Sequence, residues 1–146
     1  MALKPEIIRR KLLHIDEAVA RLRGWMPLEM ADLEQDLKLQ WAVERGLQVA
    51  AEALFDAGSH LLAGAFREAV DQYREIPVRL AAHSVISQDT AGRLRGLAGF
   101  RNVLVHEYAE VDLTKVHAGL QHLADFEAFI ADVERWLTHR ADGGGS

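Results

Sequence analysis

Apolar residues recur at three- and four-residue steps along most of this chain, the spacing of amphipathic helices packed into a bundle. Ile8, Leu12, Ile15, Val19 and Leu22 form the first series, with Pro5 placed for an opening helical turn and Gly24 near the end. Pro27 begins a short acidic element. A long helix over roughly 37–63 is expected next, carrying Trp41, Leu47, Ala50, Ala51, Leu54, Phe55 and Leu62 on overlapping apolar faces and rich in strong helix formers. Another is expected over about 73–85, with Pro77 in or near its first turn. Asp89 reads as the N-cap of a helix bearing Leu94, Leu97, Val103 and Leu104. Asp112 reads as the N-cap of a last helix that runs to about His139, with Val116, Leu120, Leu123, Phe126 or Phe129, Ile130, Val133 and Leu137 turned inward. No segment alternates as a strand would. The pattern predicts an all-α fold, an up-and-down bundle of about five helices. Residues 1–140 form one domain in this reading, and the glycine-rich 141–146 reads as a disordered tail or a cloning remnant.

Composition narrows the class. The chain has 146 residues, of which 49% are hydrophobic and 27% charged, enough apolar content for a real core. No apolar run approaches the ~18 residues of a membrane span, and the N-terminal sequence lacks the apolar stretch of a signal peptide. A cytoplasmic location is therefore expected. The chain contains no cysteine, which removes disulfides, zinc–thiolate sites and cysteine nucleophiles together. The net charge is −5, which argues mildly against a nucleic-acid binder. Its distribution softens that objection. Ala91–His106 holds Arg93, Arg95 and Arg101 and no acid, whereas Glu29–Asp36 holds four acids and no base.

The candidate chemistry lies in Arg101-Asn102-Val103-Leu104-Val105-His106-Glu107-Tyr108. At about 100° per residue, Asn102 and His106 share a helix face, while Arg101 and His106 diverge by roughly 140°. A helix that ends near His106, just before Glu110-Val111 and the Asp112 cap, is therefore expected. A helix C-terminus favours protonated imidazole and keeps it near the range where it exchanges protons at neutral pH. RNA cleavage without metal needs a group that takes the ribose 2′-hydroxyl proton, one that protonates the leaving oxygen, and one that stabilises the extra negative charge. Histidine suits the proton transfers, and the planar guanidinium of arginine suits the phosphate oxygens. One chain offers a single His and Arg here, so a symmetric dimer supplying two of each is the natural solution.

RNVLVHEY resembles the Arg-x4-His-x-Tyr signature of the HepT family of HEPN-domain RNase toxins. Ala42–Gln48, Glu52-Ala53 and His60–Leu62 resemble the family's second helix. Leu97–Phe100 and Glu110–Asp112 resemble the usual lead-in and exit. The resemblance implies a HEPN bundle that dimerises with both motifs facing one cleft. It implies a metal-independent endoribonuclease leaving a 2′,3′-cyclic phosphate, with Arg101 and His106 catalytic and Asn102 a polar helper. It further implies a MntA-like minimal nucleotidyltransferase antitoxin as partner, which adds AMP to the motif tyrosine, here Tyr108. Bulk and negative charge on that tyrosine would block and repel RNA phosphates.

Taken singly, these residues have ordinary structural readings: Arg101 in a surface ion pair, His106 as a capping or core histidine, Tyr108 as an amphipathic residue at a bundle edge. Their joint spacing and flanks favour the site. Glu44 and Arg45 read as a structural ion pair or dimer contact. His117 and His122 are five apart, with surface or interface roles, and His60 and His83 lack a ligand-spaced carboxylate, so neither a metal nor another cofactor is expected. Ser59-His60 has no nucleophile elbow, and there is no phosphate-binding glycine loop. Trp25, Trp41 and Trp136 read as core or dimer interface. Two alternatives remain beside the RNase: a catalytically silent helical module that docks a nucleotidyltransferase, and a nucleotide-binding protein in which Arg101 grips a phosphate without turnover.

Overall fold

A computed structural model of the chain describes residues 3–100 and 112–142. Among these the secondary structure is helical throughout, with α1 (Pro5–Gly24), α2 (Met30–Gln35), α3 (Leu37–Phe66), α4 (Glu75–Ala82), α5 (Gln88–Arg93), α6 (Leu113–Leu120) and α7 (Leu123–Asp142). The all-α expectation holds, but these are seven helices and not about five. Two long helices expected from periodicity are each interrupted.

The long helices form where the periodic series was read. Ile8, Leu12, Ile15, Val19 and Leu22 are all buried along one face of α1, which packs mainly on α3 and α7. Gly46 lets this happen. A Cβ there would come 2.7 Å from Leu22 Cδ2, so its hydrogen is what allows α1 and α3 to close up. Gly58 does the same for α4, where an added Cβ would run into Ile76 Cγ2. Phe126 and Phe129, left open as alternatives, are both buried. Each such large side chain contributes about 1.5–3 kcal/mol on removal from water. On the outside, Arg9–Glu134 and Arg23–Glu127 tie α1 to α7, and Lys11–Asp56 ties it to α3. These exposed pairs are worth about 0.2–1 kcal/mol each.

The boundaries show local chemistry overridden by packing. α3 continues past 63 to Phe66, and Gly64 within this last turn packs against Leu3, where a Cβ would sit 3.1 Å from Leu3 Cδ1. It stops at Arg67, whose φ of 57° is left-handed, with Glu68 N–H donating to the Leu62 carbonyl at 3.1 Å. α4 is shorter than the expected 73–85. Ser84 at φ 60° turns the chain, and Val85 N–H donates back to the Leu80 carbonyl at 2.9 Å.

The helix expected to start at an Asp89 cap instead starts at Ser87, whose Oγ accepts from Thr90 N–H at 3.0 Å. Asp89 lies inside the first turn and pairs with Arg93 one turn on. This helix then breaks over 94–96 before helical backbone resumes at 97–100. Gly92 and Gly96 bracket the break, each about 1 kcal/mol poorer than alanine in a helix. The last helix divides at Gln121–His122, after Gly119. Asp112 caps α6 as expected, its Oδ1 accepting from Thr114 N–H at 3.0 Å. α7 includes Ala141 and Asp142, so regular structure extends two residues past 140; residues 143–146 lie outside the described ones.

A buried carboxylate joins α7 to the α5 cap. Asp132 is only 8% exposed, and its Oδ2 accepts from Ser87 N–H at 3.0 Å. Asp132→Ala should cost about 1–3 kcal/mol by removing a hydrogen bond to a charged acceptor. Arg135→Ala, which removes its exposed partner at 3.4 Å, should change stability by under about 1 kcal/mol. Urea titration distinguishes the two. Equal, small effects would remove Asp132 from any structural role.

Candidate active site and its supporting frame

Arg101, Asn102, His106 and Tyr108 all fall within 101–111, outside the described residues, as does the helix end expected near His106. The structure does describe what holds both ends of that segment. On the entry side, Leu97 N–H donates to the Leu94 carbonyl at 3.0 Å and Phe100 N–H to the Gly96 carbonyl at 3.1 Å, which sets the turn that feeds the motif. Phe100, immediately before Arg101, packs against the core. Its ring lies over Gly119 of α6, where a Cβ would come 2.7 Å from Phe100 Cζ and 3.3 Å from Leu47 Cδ1. A glycine within helical backbone is explained by this close approach. The exit side is the Asp112 cap. Further along α6, His117 Nε2 sits 2.9 Å from the Leu28 carbonyl, fastening that helix to the α1–α2 connection. His117 is thus a half-buried structural contact.

Beside Phe100 the described residues form a groove of about 670 Å³, walled by Leu94, Leu97 and Phe100 on one side, by α6 below, and by Phe126 of α7 on the other. Arg93, Lys115, His122 and Asp125 stand at its margin. Asp125 is shared: Arg93 Nη1 lies 3.8 Å from it and His122 Nδ1 3.6 Å. No motif in the sequence marks this groove, and His122, expected in a surface or interface role, lines it. The local signal for it is Gly119, whose missing side chain makes room for the Phe100 ring.

Other sequence candidates sit apart from it. Burial on α3 pushes the Glu44 carboxyl up from its ordinary range. No ion pair joins Glu44 or Arg45 to another described residue, which removes the structural ion pair as their explanation within that set. His83 Nε2 lies 3.0 Å from Glu68 Oε2 and its ring stacks on Phe66 at 3.8 Å. Among the described residues no group of three or more His, Asp or Glu side chains is arranged to hold a metal. Trp136 is half-buried, packed on Phe66 with Arg140 over its ring. Trp25 and Trp41 are not core: they are 40% and 64% exposed. No helix among the described residues is long and apolar enough to cross a membrane.

The bundle matches solved structures over nearly its whole length. It superposes on the tri-AMPylated HEPN toxin of Shewanella oneidensis in complex with MNT antitoxin with a TM-score of 0.77 at 30% identity, covering 88% of this chain and 97% of that one. It also superposes on YutE of Bacillus subtilis with a TM-score of 0.81, over 94% of this chain and 93% of that one; at 17% identity that likeness is one of fold. The architecture is therefore that of a HEPN-type helical protein. A family model described as ribonuclease HepT-like matches residues 15–133, and the chain belongs to this family. Among named relatives, the mRNA nuclease HepT of Shewanella oneidensis is 31% identical over 126 residues, 86% of this chain and 94% of the relative. The tRNA nuclease HepT of Aphanizomenon flos-aquae is 23% identical over 136 residues, 92% of each chain.

Proposed function

We propose that this protein is a metal-independent endoribonuclease toxin of a toxin–antitoxin pair. Its active site is composite, with Arg101 and His106 of two copies facing one cleft. The observation that carries the reading is the intact Arg101-x4-His106-x-Tyr108 run in a chain that belongs to the HepT-like ribonuclease family, among relatives named as nucleases of mRNA and tRNA.

The chemistry balances with these groups. The ribose 2′-oxygen attacks the adjacent phosphorus as a neutral imidazole removes its proton. The bond from phosphorus to the 5′-oxygen breaks, and a protonated imidazole supplies the proton to that leaving oxygen. The products are a 2′,3′-cyclic phosphate and a free 5′-hydroxyl. Arg101 neutralises the charge that builds on the non-bridging oxygens, and Asn102 donates to the same region. Two histidines in one cleft allow one to act as base while the other acts as acid.

The partner in this proposal is a minimal nucleotidyltransferase that adds AMP to Tyr108. The support is that the similar HEPN toxin described above is AMPylated and bound to an MNT antitoxin. Two measurements test the two halves. Purified protein in EDTA should cut RNA and leave cyclic-phosphate ends; no cutting by the unmodified protein overturns the nuclease. After incubation with the partner and ATP, Tyr108 should gain mass in multiples of AMP and cleavage should stop. A demonstrated complex without that mass gain would show inhibition by occlusion instead.

A further inference from the structure

We propose that the groove beside Phe100 is a base subsite for the RNA substrate and takes a guanine, read by the Asp125 carboxylate. The inference rests on the nuclease proposed above and adds the base it selects.

Asp125 sets the ligand. Its side chain is only 18% exposed, yet no described residue donates a hydrogen bond to it. Arg93 Nη1 at 3.8 Å and His122 Nδ1 at 3.6 Å are ion-pair neighbours beyond hydrogen-bond reach. Arg93 is also drawn towards Asp89, 3.1 Å from its Nε. A carboxylate buried this far, with no donor among the described residues, is costly unless a ligand supplies one.

The rest of the groove fits a flat, apolar body carrying those donors. Leu94, Leu97, Phe100 and Phe126 wall it, and about 670 Å³ holds a base with its ribose. Unpaired bases are bound in this manner, stacked on aromatic side chains and hydrogen-bonded along one edge. Lys115, on α6 at the margin, pairs with no acid among the described residues and can meet a backbone phosphate. An apolar side chain from a protein partner would fit the walls, but it would complete the burial of Asp125 without giving it a donor.

Among the four bases guanine matches the carboxylate best. Its N1–H and its amino group point the same way and give each carboxylate oxygen a donor. Adenine and cytosine offer one amino group next to a ring nitrogen whose lone pair opposes the carboxylate. Uracil offers one N–H between two carbonyls. Each of these leaves a carboxylate oxygen unsatisfied. Covalent connection alone puts the groove next to the proposed chemistry. Phe100 is bonded to Arg101, and consecutive Cα atoms lie about 3.8 Å apart. A base held against Phe100 therefore belongs to a nucleotide close to the cut.

The test uses the 2′-O-methyl pentamers UUGUU, UUAUU, UUCUU and UUUUU, which resist cutting because the attacking hydroxyl is blocked. Calorimetric titration of the full-length protein should give UUGUU a dissociation constant at least about tenfold below the other three. Asp125→Asn should erase that preference, since an amide has one acceptor oxygen where the carboxylate has two. Ala118→Trp, at an exposed position that lines the groove, should weaken UUGUU to the level of UUUUU without changing the melting temperature. If Asp125→Asn fails to fold, Ala118→Trp decides alone. Equal binding of the four pentamers, binding of none, or a guanine preference that survives either folded variant overturns the subsite. Cleavage of unmodified RNA by the wild type is scored separately. Cutting with no base preference leaves the nuclease standing and removes the guanine subsite. A guanine preference in binding with no cutting keeps the subsite and overturns the nuclease.

Discussion

Alanine at His106, or at Arg101, is expected to slow RNA cleavage by about 10²–10⁴-fold while leaving the melting temperature and oligomeric state unchanged. The magnitude for His106 is that of a positioned general acid or base. For Arg101 it is that of a charged donor aimed at the oxygens where transition-state charge accumulates. The two losses should not multiply. Once one member of a concerted set is gone, the other has little left to assist, so the double variant should resemble the worse single one. Arg101→Lys should recover only part of the activity, because an ammonium supplies the charge without the planar two-pronged donor. A stronger form of the test mixes the two alanine variants. If the site is shared, heterodimers carry one intact arginine and one intact histidine on different chains, and some activity should return. Wild-type cleavage by either alanine variant would remove that residue from the chemistry.

The second large effect is expected away from any reacting group. Gly119→Val places a Cβ 2.7 Å from Phe100 Cζ, 3.2 Å from Cε2 and 3.3 Å from Leu47 Cδ1. Leu47 is fully buried and cannot retreat, so the phenyl ring must move, and with it the residue joined directly to Arg101. Overpacking of this kind costs about 1–3 kcal/mol. Displacing a catalytic group by about 1 Å can cost around 10²-fold in rate. Gly119→Val should therefore lower cleavage by about that factor in protein that still folds. Gly92→Ala is the control: nothing lies within 4 Å of its added methyl, so cleavage should be unaffected. Adding Phe100→Ala to Gly119→Val should relieve the clash and return part of the stability, but not the activity. Full cleavage by Gly119→Val would show that the ring does not position the motif.

The sequence carried the long-range plan of the bundle because burial has a period. The residues expected inward on α1 are buried, as are those on the last helical stretch apart from the partly buried Ile130, and Asp112 caps its helix as expected. Short elements were harder, since their ends are decided by partners far along the chain. Asp89 and Ser87 are both good caps and stand two residues apart. What separates them is Asp132, forty-five positions away, which accepts the Ser87 N–H and fixes where the helix begins. The candidate site divides in the same way. Its chemistry was legible in Arg101–Tyr108 as residue types at a fixed spacing, and the family match agrees with that resemblance. The groove beside it was not, because its walls come from residues some thirty positions apart, with Gly119 as the only hint.

The final helix has one more consequence, for the order of events during synthesis. α7 covers α1, contributes Phe126 to the groove wall, and reaches back through Asp132 to the cap of α5. A nascent chain that has not yet released α7 from the ribosome already carries Arg101–Tyr108 in its sequence but lacks Phe126 of the groove wall and the Asp132 contact to the α5 cap. The proposed nuclease is therefore unassembled until the twenty residues of α7 have emerged from the ribosome. Translation itself then delays the moment at which the cell's own RNA is exposed to the finished enzyme.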